Sequence, residues 1–297
     1  MKHWLTAFRL RTLPLSLSSI ILGGFLAASN GCFQWIIFSL AVVTTIFLQV
    51  LSNIANDYGD SIHGADKVTS RKGPKRMVSD GKITKESMKK AIIIFSLLAF
   101  TTGILLLWKA GIFADQIKLL VFLSLGVLAI AAAIFYTNGK RPYGYAGFGD
   151  ISVFLFFGIV GVEGSYFLMC GKFGLDILLP AATCGFFSVG VLNINNIRDI
   201  ESDEIAGKYS IPVRLGLDKA RIYHLTLLSA GVICALWFTF LNFHSPKQFF
   251  FLITFAPLFA HAKESFTLPI EKFDPLLKQL SLTTLFFCIT FGLGLIF

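Results

Sequence analysis

The sequence predicts an all-α integral membrane protein, with nine transmembrane helices in a single bundle around a central cavity. The 297-residue chain is 55% hydrophobic, has a mean hydropathy of +0.73 and is only 14% charged, whereas about a quarter of the residues in soluble domains are charged. Apolar runs near the ~20 residues needed to cross a bilayer recur along its length. The basic residues behind the net charge of +9 cluster between these runs, which argues against a nucleic-acid partner.

The nine expected crossings are delimited by polar loops and helix breakers. The first follows a basic stretch similar to a signal peptide, but Pro14 and Gly23-Gly24 are typical of a packed transmembrane helix, so we expect it to remain uncleaved. The second and sixth end near Asn and Asp residues, and a Gly- and Pro-rich stretch separates the fourth from the fifth. The crossings are residues 12–29, 35–58, 88–108, 117–136, 149–170, 173–194, 221–241, 247–262 and 275–297.

Nine crossings also predict the orientation. They place all but four of the 26 Lys and Arg residues on the side of the N-terminus, the exceptions being Lys109, Lys118, Lys172 and Lys247. Positive charge favours the cytoplasmic side. We therefore expect a multi-pass protein of the cell inner (cytoplasmic) membrane, with its N-terminus in the cytoplasm and its C-terminus outside.

The five cysteines are odd in number, widely spaced and mostly within apolar runs. We expect them to be packing residues rather than a disulfide or metal framework.

A polar motif ends the second crossing. Asn53, Asn56, Asp57 and Asp60 follow one another at i, i+3, i+4 and i+7, so on a helix they share one face. Ionisable groups in a membrane are costly and mark functional sites. Solvated helix-end residues are the alternative for one such motif taken alone.

A second motif ends the sixth crossing. Asn195, Asp199 and Asp203 lie at i, i+4 and i+8, again on one helical face. The two motifs, near residues 53–66 and 193–208 of one 297-residue membrane domain, are each followed by a basic loop. We expect both to face the same aqueous boundary.

The chemistry of the two motifs indicates a magnesium–diphosphate ligand. Carboxylate and amide oxygens suit Mg²⁺, which is commonly shared with substrate phosphates. Lys and Arg beside them would bind the phosphate oxygens. A membrane cavity next to such a site would accept a long hydrocarbon tail, so the combined prediction is a polyprenyl diphosphate.

These residues resemble the UbiA-type intramembrane prenyltransferases, whose two aspartate-rich motifs bind magnesium and prenyl diphosphate, and within them the branch that prenylates 1,4-dihydroxy-2-naphthoate. The resemblance covers nearly the whole chain. Its motifs are Arg9-Leu10-Arg11-Thr12-Leu13-Pro14, Asn56-Asp57-Tyr58-Gly59-Asp60 with Gly64 and Asp66, Gly73-Pro74-Lys75-Arg76, Tyr136 with Lys140, residues 145–150, and Asn195-Asn196-Ile197-Arg198-Asp199 with Asp203, Gly207 and Lys208. Gly64 stands where many family members have Asp.

The resemblance implies transfer of a polyprenyl group to 1,4-dihydroxy-2-naphthoate, with loss of CO2 and pyrophosphate, giving demethylmenaquinone. It implies catalytic roles for Asp57, Asp60, Asp199 and Asp203. The Mg²⁺ ligands would be Asn56, Asp57, Asp60, Asn195, Asp199 and Asp203, and the diphosphate-binding residues Asn53, Arg71, Tyr136, Lys140, Arg198 and Lys208.

Other functions stay open at this stage. Within the family, 4-hydroxybenzoate or another aromatic compound is the alternative acceptor. A secondary transporter would also carry intramembrane charge, but at the midplane, and a non-catalytic lipid-binding or assembly protein would not need two matched acidic clusters. Asp150 could cap the fifth crossing or orient the acceptor, and Glu163 could pair within the bundle or line the cavity.

Overall fold

The computed structural model describes residues 2–63 and 76–297, and all regular secondary structure in these ranges is helical. Arg71, Gly64 and Asp66 lie outside the described residues. The α-helices are α1 Lys2–Phe8, α2 Leu13–Ser29, α3 Trp35–His63, α4 Lys85–Lys109, α5 Gln116–Phe135, α6 Gly149–Val153, α7 Gly164–Cys170, α8 Leu178–Arg198, α9 Ile200–Ile205, α10 Ile211–Leu215, α11 Leu217–Leu241, α12 Phe255–Thr267 and α13 Asp274–Ile296.

Eight helical segments of the described ranges are long and apolar enough to cross a membrane. They are Lys2–Ser29, Trp35–His63, Lys85–Lys109, Gln116–Phe135, Gly149–Cys170, Leu178–Arg198, Leu217–Leu241 and Asp274–Ile296. The fifth contains a π-helix, Phe154–Glu163, between α6 and α7. Eight of the nine expected crossings therefore coincide with helices of sufficient length.

The expected crossing at 247–262 is not one long α-helix. A 3-10 helix, Pro246–Thr254, leads into the 13 residues of α12. Pro257 explains the change, because its nitrogen has no hydrogen to donate to the carbonyl four residues earlier and its ring clashes with that carbonyl. Continuous α-helix therefore begins only just before the proline.

The helices differ in how deeply they are buried. In the segments Lys2–Ser29, Leu178–Arg198 and Asp274–Ile296, more than half of the most apolar stretch is buried inside the bundle. In contrast, α5 contains no buried residue. Phe187 of α8 and Phe287 and Phe291 of α13 pack at ring-centroid distances of 5.2 and 5.7 Å. The centre of the bundle is thus α2–α8–α13, and α5 lies at the rim.

The two ends of the bundle carry different features. The C-terminal ends of α3 and α8, with both polar motifs, lie at one end. At the other end, Cys32 after α2 and Cys170 at the end of α7 are disulfide-bonded, with Cα atoms 5.1 Å apart. The expectation that all five cysteines only pack was therefore wrong, because a separation of 138 residues gives no sign that two chain turns meet.

Candidate active site

A cavity of about 440 Å³ lies within the bundle. Its deeper walls are apolar side chains of α4, α5 and the π-helix, including Phe100, Phe122, Leu125, Phe156, Phe157 and Val160. Its polar end is lined by Arg9, Asn56, Asp60, Arg76, Tyr136, Asn195, Arg198, Asp199, Asp203 and Lys208. The cavity therefore joins a charged end to an apolar chamber.

The first acidic cluster is built on the last turns of α3. Asp60 forms a buried ion pair with Arg76 and accepts a hydrogen bond from the Tyr145 hydroxyl at 3.2 Å. The Thr137 hydroxyl donates to the Asn56 side-chain oxygen at 3.1 Å. Gly59 makes this approach possible, because a Cβ there would stand 2.4 Å from the Thr137 hydroxyl oxygen.

Asp57 occupies a different environment from its neighbours in the motif. Its two carboxylate oxygens accept hydrogen bonds from the backbone N–H groups of Met77 and Val78, at 2.9 and 3.0 Å. Of the described residues, Asn56 and Asp60 line the cavity, whereas Asp57 does not and is 1% exposed. The expectation that all the motif's acids face one ligand does not fit this position, since Asp57 lies at the edge of the helical face.

The second acidic cluster is built where α8 ends. The Arg198 guanidinium donates hydrogen bonds to both carboxylate oxygens of Asp199, at 2.9 and 2.6 Å, and to the Asn195 side-chain oxygen at 2.9 Å. It also donates to Asp274 at the start of α13, at 2.8 Å, and Arg11 reaches the other oxygen of Asp274 at 3.2 Å. Arg198 is 3% exposed, so its charge is balanced inside the protein.

Asp203 and Lys208 form a third pair, 2.7 Å apart. Gly207, with a φ of +70°, turns the chain after α9, and the backbone N–H of Lys208 donates to the Asp203 carbonyl at 2.8 Å. Burial alone would lower the pKa of Lys208, but the Asp203 carboxylate outweighs it and raises the pKa above its ordinary value. The ammonium therefore stays charged at neutral pH.

The other predicted diphosphate-binding residues are placed unequally. Tyr136 lines the cavity. Asn53 also lines it, but its side-chain nitrogen donates to the Phe8 carbonyl and the Thr12 hydroxyl, at 2.9 and 3.0 Å, so it fastens α3 to the N-terminal segment. Lys140 is exposed and outside the cavity lining, because the chain turns away after α5. Its predicted contact with the ligand does not fit this structure.

Asp150 and Glu163, for each of which the sequence allowed two roles, accept hydrogen bonds from other parts of the bundle. Asp150 accepts a hydrogen bond from the Tyr223 hydroxyl at 2.9 Å, which joins α6 to α11. Glu163 accepts one from the Gly174 backbone N–H at 2.9 Å, which holds the turn before α8. Neither belongs to the described lining of the cavity.

Four residues at the site were not predicted as site residues. Arg9 adopts a left-handed conformation, with a φ of +47°, which is uncommon for a residue other than glycine. Arg76 and Tyr145 lie in motifs that the sequence drew attention to, without a role. Asp274 gives no sequence signal, since its partner Arg198 is 76 residues away.

The donor atoms at the polar end fit magnesium. Within residues 2–63 and 76–297, no three His, Cys, Asp or Glu side chains converge on a point that could hold a metal. Magnesium, however, is usually held by one or two carboxylates together with waters and substrate phosphates, rather than by an all-protein cage. Asp60, Asp199 and Asp203, with the amides of Asn56 and Asn195, supply oxygen donors of that kind.

Comparisons with known proteins point to one family. Residues 16–269 match the model of the UbiA prenyltransferase family. The whole chain is 42% identical over 300 residues to 96% of a Haemophilus influenzae protein named 1,4-dihydroxy-2-naphthoate octaprenyltransferase. An Escherichia coli protein of the same name is 45% identical over 256 residues, which cover 86% of this chain and 82% of that protein.

Solved structures share the fold. A UbiA homologue from Archaeoglobus fulgidus, bound to GPP and Mg²⁺, superposes with a TM-score of 0.68 over 99% of both chains at 16% identity. One from Aeropyrum pernix gives a TM-score of 0.67 over 98% of this chain and 96% of that one, at 19% identity. The chain is a polytopic membrane protein with the fold of these two homologues. It belongs to the UbiA prenyltransferase family.

Proposed function

We propose that this protein transfers a polyprenyl group from polyprenyl diphosphate to 1,4-dihydroxy-2-naphthoate. The carboxylate on the alkylated ring carbon leaves as CO2, pyrophosphate is released, and the product is the naphthoquinol form of demethylmenaquinone. The observation that carries the proposal is the cavity itself. Acid–cation pairs from both motifs surround one end of it, and apolar walls form the remainder.

The paired charges support a role in holding the diphosphate. Asp60, Asp199 and Asp203 each contact a cation: Arg76, Arg198 and Lys208. A magnesium diphosphate carries both signs of charge, so the carboxylates can turn to the metal while the cations turn to phosphate oxygens. When bound, magnesium supplies charge neutralisation at the leaving group.

These cations would also promote ionisation of the allylic C–O bond. Negative charge grows on the diphosphate as the bond breaks, and preorganised cations in a buried site stabilise that change. The electron-rich naphthoate ring then attacks the prenyl carbon. Aromatic side chains of the apolar chamber, such as Phe156 and Phe157, exclude water from the carbocation and offer it their π faces.

We assign the metal-binding role to Asp60, Asp199 and Asp203 with Asn56 and Asn195. The diphosphate-binding role goes to Lys208, Arg198, Arg76, Arg9 and Tyr136, because these side chains line the polar end. The naphthoate acceptor is assigned from the names of the relatives that are 42% and 45% identical.

We also propose that the chain is a single membrane domain with nine crossings and a cytoplasmic N-terminus. The membrane would be the inner (cytoplasmic) membrane of the cell. Asp274 contacts Arg198 at the polar end, and the Lys247 carbonyl lies against Gly294 near the other end of α13. Residues 246–267 therefore run the length of α13. At the rises of 3-10 and α-helix they span roughly 37 Å, enough for a core of about 30 Å.

The Cys32–Cys170 disulfide lies at the end of the bundle opposite the polar site. Disulfides persist in oxidising compartments outside the cytoplasm. This supports placing the polar site, and with it the N-terminus, at the cytoplasmic surface.

The test is an assay of the purified protein with Mg²⁺, a polyprenyl diphosphate and the naphthoate acceptor. We expect pyrophosphate and CO2 to appear in equal amounts, and only when both substrates are present. Replacing the acceptor by 4-hydroxybenzoate should abolish turnover; preference for that acceptor would reassign the substrate. Vesicle uptake of a solute without pyrophosphate release would favour a transporter instead.

A further inference from the structure

We propose that Asp57 is a positioning residue that holds Arg76 in the site, and that it is not a ligand of the metal. The inference rests on the proposed function, because Arg76 matters only if the polar end binds a diphosphate. It changes the interpretation of the first motif, in which the adjacent carboxylates Asp57 and Asp60 would then have different tasks.

The Asp57 carboxylate already has hydrogen-bond partners within the protein. Both of its oxygens accept backbone N–H groups, those of Met77 and Val78, at the distances of well-formed N–H···O hydrogen bonds. Met77 and Val78 are themselves buried, at 6% and 8% exposure. Losing the carboxylate would leave buried donors without partners, which is costly.

The backbone connects these amides directly to the site. Arg76 immediately precedes Met77, lines the cavity and pairs with Asp60. The turn continues with the N–H groups of Lys82 and Ile83 donating to the Met77 carbonyl, at 2.9 and 3.1 Å. Asp57 therefore fixes the point from which the Arg76 side chain enters the cavity.

Apolar side chains pack around the turn that follows Arg76. Met77, Val78 and Ile83 form a small core with Val50 and Ile54 of α3 and Met88 of α4. This core holds the turn against α3, but apolar contacts do not define the direction of a side chain. The two hydrogen bonds to Asp57 supply that definition, so the expected loss is in the placement of Arg76 rather than in the fold.

The test compares Asp57→Asn with Asp60→Asn, one turn apart on α3, and with Asp218→Asn, an exposed acid in the first turn of α11, as the control. Hydrogen exchange of the peptide containing Met77 and Val78 reports the hydrogen bonds without turnover. We expect exchange at least tenfold faster in Asp57→Asn and unchanged in Asp218→Asn. If Asp57→Asn does not fold, Asp57→Glu provides the same comparison with the charge kept.

Binding of Mn²⁺ at saturating pyrophosphate, followed by electron paramagnetic resonance, separates a ligand from a positioning residue. We expect Asp57→Asn to keep wild-type Mn²⁺ affinity within about twofold, and Asp60→Asn to lose at least tenfold. Equal losses in the two variants would overturn the proposal.

A double-mutant cycle completes the test. We expect Asp57→Asn to raise the KM for polyprenyl diphosphate about tenfold, as does Arg76→Gln, and the double variant to be no worse than Arg76→Gln alone. Multiplying effects would show that Asp57 acts independently of Arg76 and would contradict the proposal. If wild-type protein transfers no prenyl group while the exchange result holds, the proposed function fails and the positioning role stands.

Discussion

The two acidic clusters line the same cavity but are held in place in different ways. When Asn56-Asp57-Tyr58-Gly59-Asp60 is aligned with Asn195-Asn196-Ile197-Arg198-Asp199, Gly59 corresponds to Arg198 and Asp57 to Asn196. The second cluster carries its cation, Arg198, inside the motif, and the acid that anchors this cation is Asp274 on α13. The first cluster carries its anchoring acid, Asp57, inside the motif and takes its cation, Arg76, from the following loop.

This difference shows that two similar motifs can obtain an anchored cation in opposite ways. One motif contains the cation and takes the anchoring acid from elsewhere, and the other contains the acid and takes the cation from elsewhere. The first cluster is built mainly on α3 and on the turn at residues 76–78, and Thr137 and Tyr145 add hydrogen bonds to Asn56 and Asp60 from one further segment. The second requires residues 11, 198 and 274 to meet, which happens only when the N-terminal segment, α8 and α13 are packed together. The second cluster should therefore depend on the complete bundle.

The largest effect is expected where the clusters are alike. Asp60→Asn and Asp199→Asn each remove one charge that faces the cavity, so we expect kcat/KM for polyprenyl diphosphate to fall at least ~100-fold in both. Steady-state assays of the two variants, with Asp218→Asn as the exposed control, make the comparison. Near-wild-type turnover in either variant would show that its cluster is not part of the site.

The next effect should separate the clusters. Arg198 donates to Asp199, Asn195 and Asp274 at once, which needs the planar fork of a guanidinium. We expect Arg198→Lys to lose about 30-fold in kcat/KM, and Arg76→Lys, which keeps a point charge beside Asp60, about threefold. Similar losses in both variants would mean that the two cations are held in the same way.

A smaller effect is expected from the anchor of the second cluster. Asp274 orients the buried Arg198 but is itself partly exposed, with a side-chain exposure of 44%, so solvent weakens the pair. We expect Asp274→Asn to lower kcat/KM about fivefold, and Asp274→Glu to recover most of it. A variant indistinguishable from Asp218→Asn would remove α13 from the account of the site.

The smallest effect on activity is expected at the opposite end of the bundle. Replacing Cys32 and Cys170 by Ser removes a crosslink far from the polar site, so prenyl transfer should be unchanged. The folded state should lose about 2–4 kcal/mol, the range typical of a disulfide, visible as a lower melting temperature than in the control Cys234→Ser. Loss of activity in the folded protein would link the two ends.

The sequence predicted what depends on local patterns. Hydropathy located eight crossings, and helical spacing brought Asn56, Asp60, Asn195, Asp199 and Asp203 to one cavity. Contacts between distant segments could not be predicted in the same way. Nothing near Asp274 indicates Arg198, and nothing near Cys32 indicates Cys170. Asp57 differs for a subtler reason: its position at the edge of the helical face is compatible with a ligand or with an acceptor for the turn at Met77, and only the packing of that turn decides.

The most direct test of the central claim is the stoichiometry of pyrophosphate binding by calorimetry, with and without Mg²⁺. If both clusters share one diphosphate, the wild-type protein binds one pyrophosphate per chain in the presence of Mg²⁺, and Asp60→Asn and Asp199→Asn each weaken that same event at least tenfold. Two independent pyrophosphates per chain, with each variant losing only one of them, would contradict the account.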